Sequence, residues 1–414
     1  MDGGYFTIRQ QLHARLDEPA PGRIQLVSGP RQVGKTTLLL EIAEKFRERA
    51  LYLAADSPEA ALPDWWLGRW QHAVRQARTG PAILLVDEVQ GLPDWSRLLK
   101  VAYDEIKRER LPLHIVVSGS SSLRLFGGFR ETMAGRFERL NLRHWSARDL
   151  MEVFALSADA AAEQVVRFGA FPGGQELLAN SLRWKSYVRD AIIDPAIGTD
   201  ILMMKPVRKP ALLRQIFAIC IGHSAQIVSM QKIAGSLTEA GNLATIAEYL
   251  SLLGDAYLAV GLPKFSSSEI RRRATPPKLI TLSNAFLAVA TDDAPPTPAT
   301  DPRRWGHWLE NACIARAAND GYTVTYWREE HQEVDMIIDG AAGRWAIEIK
   351  GGDYTIRDLV GLAEFHRRHP EYRPLVIGEK RFEDAAIRGG MEFLTWQAYL
   401  LDGLPSCSGC QPMG

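Results

Sequence analysis

The chain has 414 residues, 46% of them hydrophobic and 24% charged, a soluble globular composition and too long for one compact core. Lys plus Arg total 49 and Asp plus Glu total 49, so the formal net charge is zero and a globally basic nucleic-acid binder is disfavoured. Cysteines at 220, 313, 407 and 410 are too few and uneven for a disulfide scaffold. No apolar run reaches the roughly 18–20 residues that span a bilayer. The opening Met-Asp-Gly-Gly-Tyr also lacks a secretion signal, so a cytoplasmic location without a membrane partner is expected.

In chain order, strand-like apolar runs fall at Ile24–Val27, Ala50–Ala54, Ile83–Val86 and Leu113–Val117. Helical stretches such as Thr37–Arg49 and Trp95–Arg108 alternate with them, which predicts a mainly parallel sheet covered by helices. From Leu150 to Gln215 the pattern is helical, broken at Phe171-Pro-Gly-Gly174. Two helices follow, one with Met230, Ile233 and Leu237, the next with Ile246, Tyr249, Leu250, Leu253 and Tyr257. A polar stretch, Gly261–Lys278, and a returning strand, Leu279–Leu282, complete a winged-helix-like order. Thr291–Pro302, with four prolines and three aspartates, reads as a linker. Beyond it lie a helix (Trp305–Asn319), three strands (Tyr322–Arg328, Glu333–Asp339, Arg344–Lys350), a helix (Ile356–Arg368) and a short strand (Leu375–Ile377).

The strongest chemical signal is Gly29-Pro30-Arg31-Gln32-Val33-Gly34-Lys35-Thr36, placed after a strand and before an apolar helix that starts near Lys35. It fits the phosphate-binding P-loop: the glycines let backbone N–H groups face phosphate oxygens, and the helix adds its positive end. Lys35 would reach the β- and γ-phosphates of ATP, and the Thr36 hydroxyl would bind Mg2+. Ile83–Val86 ends in Asp87 and Glu88. There Asp87 would hold the metal, and Glu88 would orient or deprotonate the attacking water. Ser118 and Ser120 end the next strand, where a polar group would sense the γ-phosphate. Arg136 and Arg139 are candidates to stabilise transferred phosphoryl charge, from the same subunit or a neighbour. Asp56 is a further candidate to face the nucleotide.

Gly29–Leu39, Asp87-Glu-Val-Gln90-Gly-Leu-Pro-Asp-Trp95, Val117-Ser-Gly-Ser-Ser-Ser122 and Gly135-Arg136 together resemble the bacterial and archaeal AAA-type ATPases that carry a C-terminal domain of unknown function. The resemblance implies a helical lid, a winged helix and a restriction-endonuclease-like module behind the ATPase. Asn284 departs from it, standing where an aspartate is expected. The expected fold is α/β: an AAA-type P-loop parallel sheet, a helical lid and winged-helix-like middle, and a C-terminal nuclease-like module. The expected divisions are 1–150 (ATPase core), 151–215 (lid), 216–290 (winged-helix-like), 291–302 (linker), 303–398 (nuclease-like) and 399–414 (tail).

The αβββαβ order of the last module is that of the PD-(D/E)xK nuclease core. Asp335 falls on its second strand, and Glu348 and Lys350 fall two apart on the third, so both emerge on one face. Glu310 on the first helix would supply a third carboxylate to a second Mg2+ or Mn2+ site. Residues 301–414 hold 13 Lys and Arg against 18 Asp and Glu, a net charge of −5 that speaks against a self-sufficient grip on DNA. In the winged-helix-like part, Glu248, Ser251 and Asp255 face outward and would repel phosphates. The basic residues Lys264, Arg271, Arg272, Arg273 and Lys278 gather in the wing. Cys407 and Cys410 lack a second ligand pair and read as tail. Three functions follow: an ATPase that rearranges the C-terminal module, a nucleotide-gated assembly switch with little turnover, or an ATP-regulated metal-dependent nuclease. Self-association and nucleic acid are the candidate partners besides ATP.

Overall fold

The computed structural model describes residues 2–120, 133–205, 207–238, 242–266, 275–340 and 342–405. They form two compact units, Met1–Arg143 with Gly198–Pro206, and His144–Ile197 with Val207–Gly414. Ser121 and Ser122, Arg271–Arg273 and the Cys407–Cys410 pair of the sequence analysis lie outside the described residues.

The first unit is built on six parallel strands: β1 (Asp2–Gly3), β2 (Ile24–Gly29), β3 (Ala50–Ala54), β4 (Ala82–Asp87), β5 (Leu113–Ser120) and β6 (Phe137–Leu142), in the order β1-β6-β2-β5-β4-β3. Every residue of β2, β4 and β5 is buried, as expected of parallel strands covered on both faces. Helices α1 (Tyr5–Leu16), α2 (Lys35–Phe46), α3 (Trp65–Thr79) and α4 (Trp95–Glu109) supply that cover. One core joins Leu26, Leu84, Val86, Ile115 and Val117 of the sheet to Trp70 of α3 and to Trp95, Leu99 and Ile106 of α4. β6 and β1 are additions to the predicted sheet. The β6 segment, Phe-Glu-Arg-Leu-Asn-Leu, buries fully only its last three residues, so it lacks the continuous apolar run that marks the central strands.

The second unit begins with α5 (Ala147–Phe154), α6 (Ala158–Phe168), α7 (Ser181–Tyr187) and α8 (Pro210–Gly222). Ser146 and Asp149 start α5 by exchanging side-chain and backbone hydrogen bonds. Strands β7 (Gln226–Ile227), β8 (Ala259–Leu262) and β9 (Lys278–Thr281) make a small antiparallel sheet, with α9 (Met230–Gly235) and α10 (Leu243–Asp255) between its first two strands. After α11 (Ala285–Val289), α12 runs from Pro302 to Asn319. Asp301 caps it by accepting the Arg304 N–H at 3.0 Å, and Pro302 pre-sets its first turn. The proline-rich stretch before it lies within this unit, where Arg304 donates to the Ala294 carbonyl at 3.2 Å.

The C-terminal sheet comprises β10 (Thr323–Glu329), β11 (Gln332–Gly340), β12 (Gly343–Ile349), β13 (Arg373–Gly378) and β14 (Glu392–Thr395), neighbours in that order. The first three are an antiparallel meander, and β13 and β14 join in parallel. Helices α13 (Val360–Arg368), α14 (Glu383–Arg388) and α15 (Trp396–Asp402) complete the module. Its elements from α12 to β13 follow the predicted order αβββαβ. The predicted helix from Ile356 opens as a 3-10 turn, Ile356–Leu359, before α13, and β14 and α15 extend the module beyond the prediction.

Candidate functional site

The phosphate loop bends because two of its residues adopt left-handed backbone: Gln32 at φ 61° and Gly34 at φ 90°. Gly29 is required by close approach, since a Cβ there would stand 1.9 Å from the Leu142 carbonyl oxygen. Gly34 then opens α2, whose first turn has no side-chain cap, so its N–H groups and the helix dipole offer an anion site. Lys35 is 5% exposed, and its ammonium donates to the carbonyls of Pro30 at 2.7 Å and Gly29 at 3.2 Å. Burial pulls its pKa below the ordinary lysine value, against the opposing pull of Glu88, Asp200 and Asp87. Phosphate oxygens would relieve that desolvation. Pro30 and Val33 are buried beneath the loop, and Thr36 and Thr37 are exposed on the first turn of α2.

The strand order places the acids next to this loop. β5 lies between β2 and β4, with Ser118 opposite Val27 and Val117 opposite Val86. Asp87 is buried at the end of β4, where Tyr52 donates to one carboxylate oxygen at 2.9 Å and Ser118 donates to the other. The same Ser118 hydroxyl accepts the Glu88 N–H at 3.1 Å. Glu88 has left-handed backbone, φ 49°, and its carboxylate accepts from Gln90. Lys35, Asp87, Glu88 and Ser118 thus gather beyond the C-terminal ends of three adjacent parallel strands, where open α/β sheets hold ligands. Thr36 and Asp87 suit a Mg2+ that arrives with a nucleotide: one offers an exposed hydroxyl, the other a carboxylate held in place by two hydroxyls.

Asp200 was not anticipated. It is 3% exposed, and its two carboxylate oxygens accept from Arg31 Nε at 2.8 Å and Nη2 at 2.7 Å across 169 residues. The pair fixes the side chain at the third position of the phosphate loop and pushes the arginine's pKa up. Gly198-Thr-Asp200 carries no motif in a helical stretch that could have signalled it.

Arg136 lies away from the phosphate loop of its own chain. The Ile24 N–H donates to the Arg136 carbonyl at 2.9 Å, at the N-terminal edge of the sheet. The phosphate loop leaves from Gly29 at the opposite edge, roughly 17 Å away for five strand residues. The Arg136 guanidinium pairs instead with Asp104 at 2.9 Å. Asp56 is exposed after β3, and Ser120 is buried at the end of β5.

The C-terminal acids converge, but around a cation. Lys278, expected among the basic residues of the wing, is fully buried on β9. Its ammonium touches the Glu310 carboxylate and lies 3.2 Å from Asp335 and 3.3 Å from Glu333. The second oxygen of Asp335 accepts the Ile349 N–H at 2.9 Å, and Lys350 donates to Glu348 at 2.7 Å. Burial first, then the Asp335 charge, pushes the carboxyls of Glu310 and Glu348 up to about 8. Burial would raise Asp335 as well, but Lys278, Lys350 and the Ile349 N–H hold it below the ordinary value. Among the described residues no group of three or more His, Cys, Asp or Glu side chains is arranged to hold a metal ion.

Asn284 also has a structural account. Its amide donates to the carbonyls of Val166 at 2.7 Å and Trp308 at 2.9 Å, and its oxygen accepts from Asn311 at 2.7 Å. An aspartate at this position would turn acceptors toward two carbonyl oxygens.

No helix among the described residues is long and apolar enough to cross a membrane. Residues 21–151 match the AAA domain family, residues 160–296 a domain of unknown function (DUF8612), and residues 305–399 another domain of unknown function (DUF4143). The uncharacterized proteins Mb2031c of Mycobacterium bovis and Rv2008c of Mycobacterium tuberculosis are each 26% identical over 352 residues, covering 83% of this chain and 72% of theirs. Among solved structures, the RuvB Holliday junction branch migration motor of Thermotoga maritima is similar at 19% identity and a TM-score of 0.34, covering 63% of this chain and 90% of that one. AMPPCP-bound DnaA from Aquifex aeolicus is similar at 14% identity and a TM-score of 0.31, covering 60% and 86%. A structure of katanin self-assembly has 16% identity and a TM-score of 0.28 over 39% of this chain, which spans 55% of that structure's length. The match to the AAA domain family thus covers residues 21–151, and matches to two domains of unknown function follow it in the chain.

Proposed function

We propose that the first unit binds and hydrolyses ATP with Mg2+, and that this cycle rearranges the C-terminal module. The observation that carries the proposal is the convergence of the Lys35 loop, Asp87, Glu88 and Ser118 beyond the ends of β2, β4 and β5. In it, residues 29–37 enclose the triphosphate, and Lys35 leaves the Pro30 and Gly29 carbonyls for the β- and γ-phosphates. Thr36 and Asp87 would hold Mg2+, which would supply charge neutralisation on the phosphates. Glu88 orients the attacking water and accepts its proton. Ser118, bonded to the Asp87 carboxylate and to the Glu88 backbone N–H, reports the state of the γ-phosphate to that pair.

Arg136 completes such a site only from a neighbouring subunit, so the proposal includes self-association in ATP. The winged-helix-like middle and the nuclease-like fold of the last module belong to the same proposal, supported by the element order of the second unit. Steady-state phosphate release with Mg2+ tests the core claim. Lys35→Ala should abolish nucleotide binding. Glu88→Gln should bind ATP normally while turnover falls about a hundredfold or more. Turnover that is equal in wild type, Lys35→Ala and Glu88→Gln would remove the ATPase assignment.

A further inference from the structure

We propose that Lys278 is a tethered cation standing where a divalent metal would otherwise bind among Glu310, Asp335 and Glu348, so that the C-terminal module performs no metal-dependent cleavage of nucleic acid. This goes beyond the ATPase proposal and does not depend on it.

The sequence of the last module supplies three carboxylates and a lysine in the spacing of a metal site. The structure spends their lone pairs elsewhere. An ammonium has three donors, and Lys278 has three carboxylates around it: Glu310 in contact, Asp335 at 3.2 Å and Glu333 at 3.3 Å. Asp335 gives its other oxygen to the Ile349 N–H, and Glu348 gives one of its own to Lys350. A Mg2+ ion needs oxygens at about 2.0–2.1 Å in a near-octahedral set and carries two charges. It would have to enter beside a fully buried ammonium that it repels and that has no exposed position along its own strand, since all of β9 is buried.

The cluster contains four carboxylates and two ammonium groups, and both ammonium groups are committed within it: Lys278 to Glu310, Asp335 and Glu333, and Lys350 to Glu348. Lys278 belongs to the small sheet and the acids to the C-terminal sheet and α12, so the ion cluster also ties these parts of the unit together.

Nucleotide-free full-length protein titrated with Mn2+, with bound ion read by electron paramagnetic resonance, tests the proposal. Wild type, Asp335→Asn and Glu348→Gln should bind the same amount of Mn2+. Lys278→Met should gain one Mn2+ held at least tenfold tighter, and adding Glu348→Gln to it should abolish that gain. A wild-type Mn2+ that Asp335→Asn or Glu348→Gln removes would overturn the proposal, as would a folded Lys278→Met that gains none. Reductive methylation of the wild type supplies an arm that needs no variant. Lys380, with 72% of its side chain exposed, should react while Lys278 stays unmodified with or without Mn2+. Labelling of Lys278, in either condition, would show that it does not fill the site.

Discussion

Asn284 shows how much one side chain can specify. Two carbonyls, from Val166 and Trp308, require a donor, and only the amide provides it. Asn284→Asp should therefore destabilise the second unit by about 2–4 kcal/mol, because a buried carboxylate would face unpaired acceptors. Denaturant unfolding followed by hydrogen exchange in α6 and α12 would measure it, and an unchanged midpoint would refute the account. Asp200 works in the first unit. Asp200→Ala removes both acceptors of Arg31 and leaves two cations, Arg31 and Lys35, in one loop. Arg31 keeps 37% of its side chain exposed, so water screens much of the loss, and about 1–2 kcal/mol is expected. Weaker ATP binding should accompany it in a fluorescent-nucleotide titration.

At the scale of elements, the register between β2 and β6 controls the phosphate loop. The Leu142 carbonyl lies where a Cβ on Gly29 would go, so Gly29→Ala should push β6 away or twist the loop. ATP affinity should fall at least tenfold while the α-helical circular dichroism signal persists. β5 adds a pH dependence through His114. Burial lowers its pKa below the ordinary 6.5, against the opposing Glu18 carbonyl. A folded state that prefers neutral imidazole binds fewer protons than the unfolded chain, so its contribution is complete above pH 6.5 and is lost as pH falls below it. His114→Gln should flatten that decline in a set of melting curves between pH 7.5 and about 5.

For the whole molecule, the position of Arg136 turns the ATPase proposal into a statement about assembly. Arg136→Ala and Glu88→Gln should each be inactive alone. Mixed, the intact site of the first can receive the arginine of the second, so turnover should reappear. Inactive mixtures, with a monomeric protein in ATP by light scattering, would end the trans role. Within the second unit, Lys278, the Tyr326 N–H to Pro263 carbonyl bond at 3.2 Å, and the Asn311 bonds to Thr281 join the small sheet to the C-terminal module. Residues 259–281 and 323–349 should accordingly lose hydrogen-exchange protection together.

By itself the sequence determined the phosphate loop, the Asp87-Glu88 pair, the central strands and the element order from α12 to β13. Each is written in consecutive residues, as a glycine-bounded turn, a continuous apolar run or a helical period. Tertiary structure alone decided the rest. Asp200 meets Arg31 across 169 residues, Lys278 meets Asp335 across 57, and Asn284 meets Val166 across 118. Buried pairing of this kind depends on which elements pack together, and a charged or amide side chain carries no periodic trace of its distant partner. The acids of the last module were therefore visible in the sequence, and the lysine that occupies them became visible only in the fold.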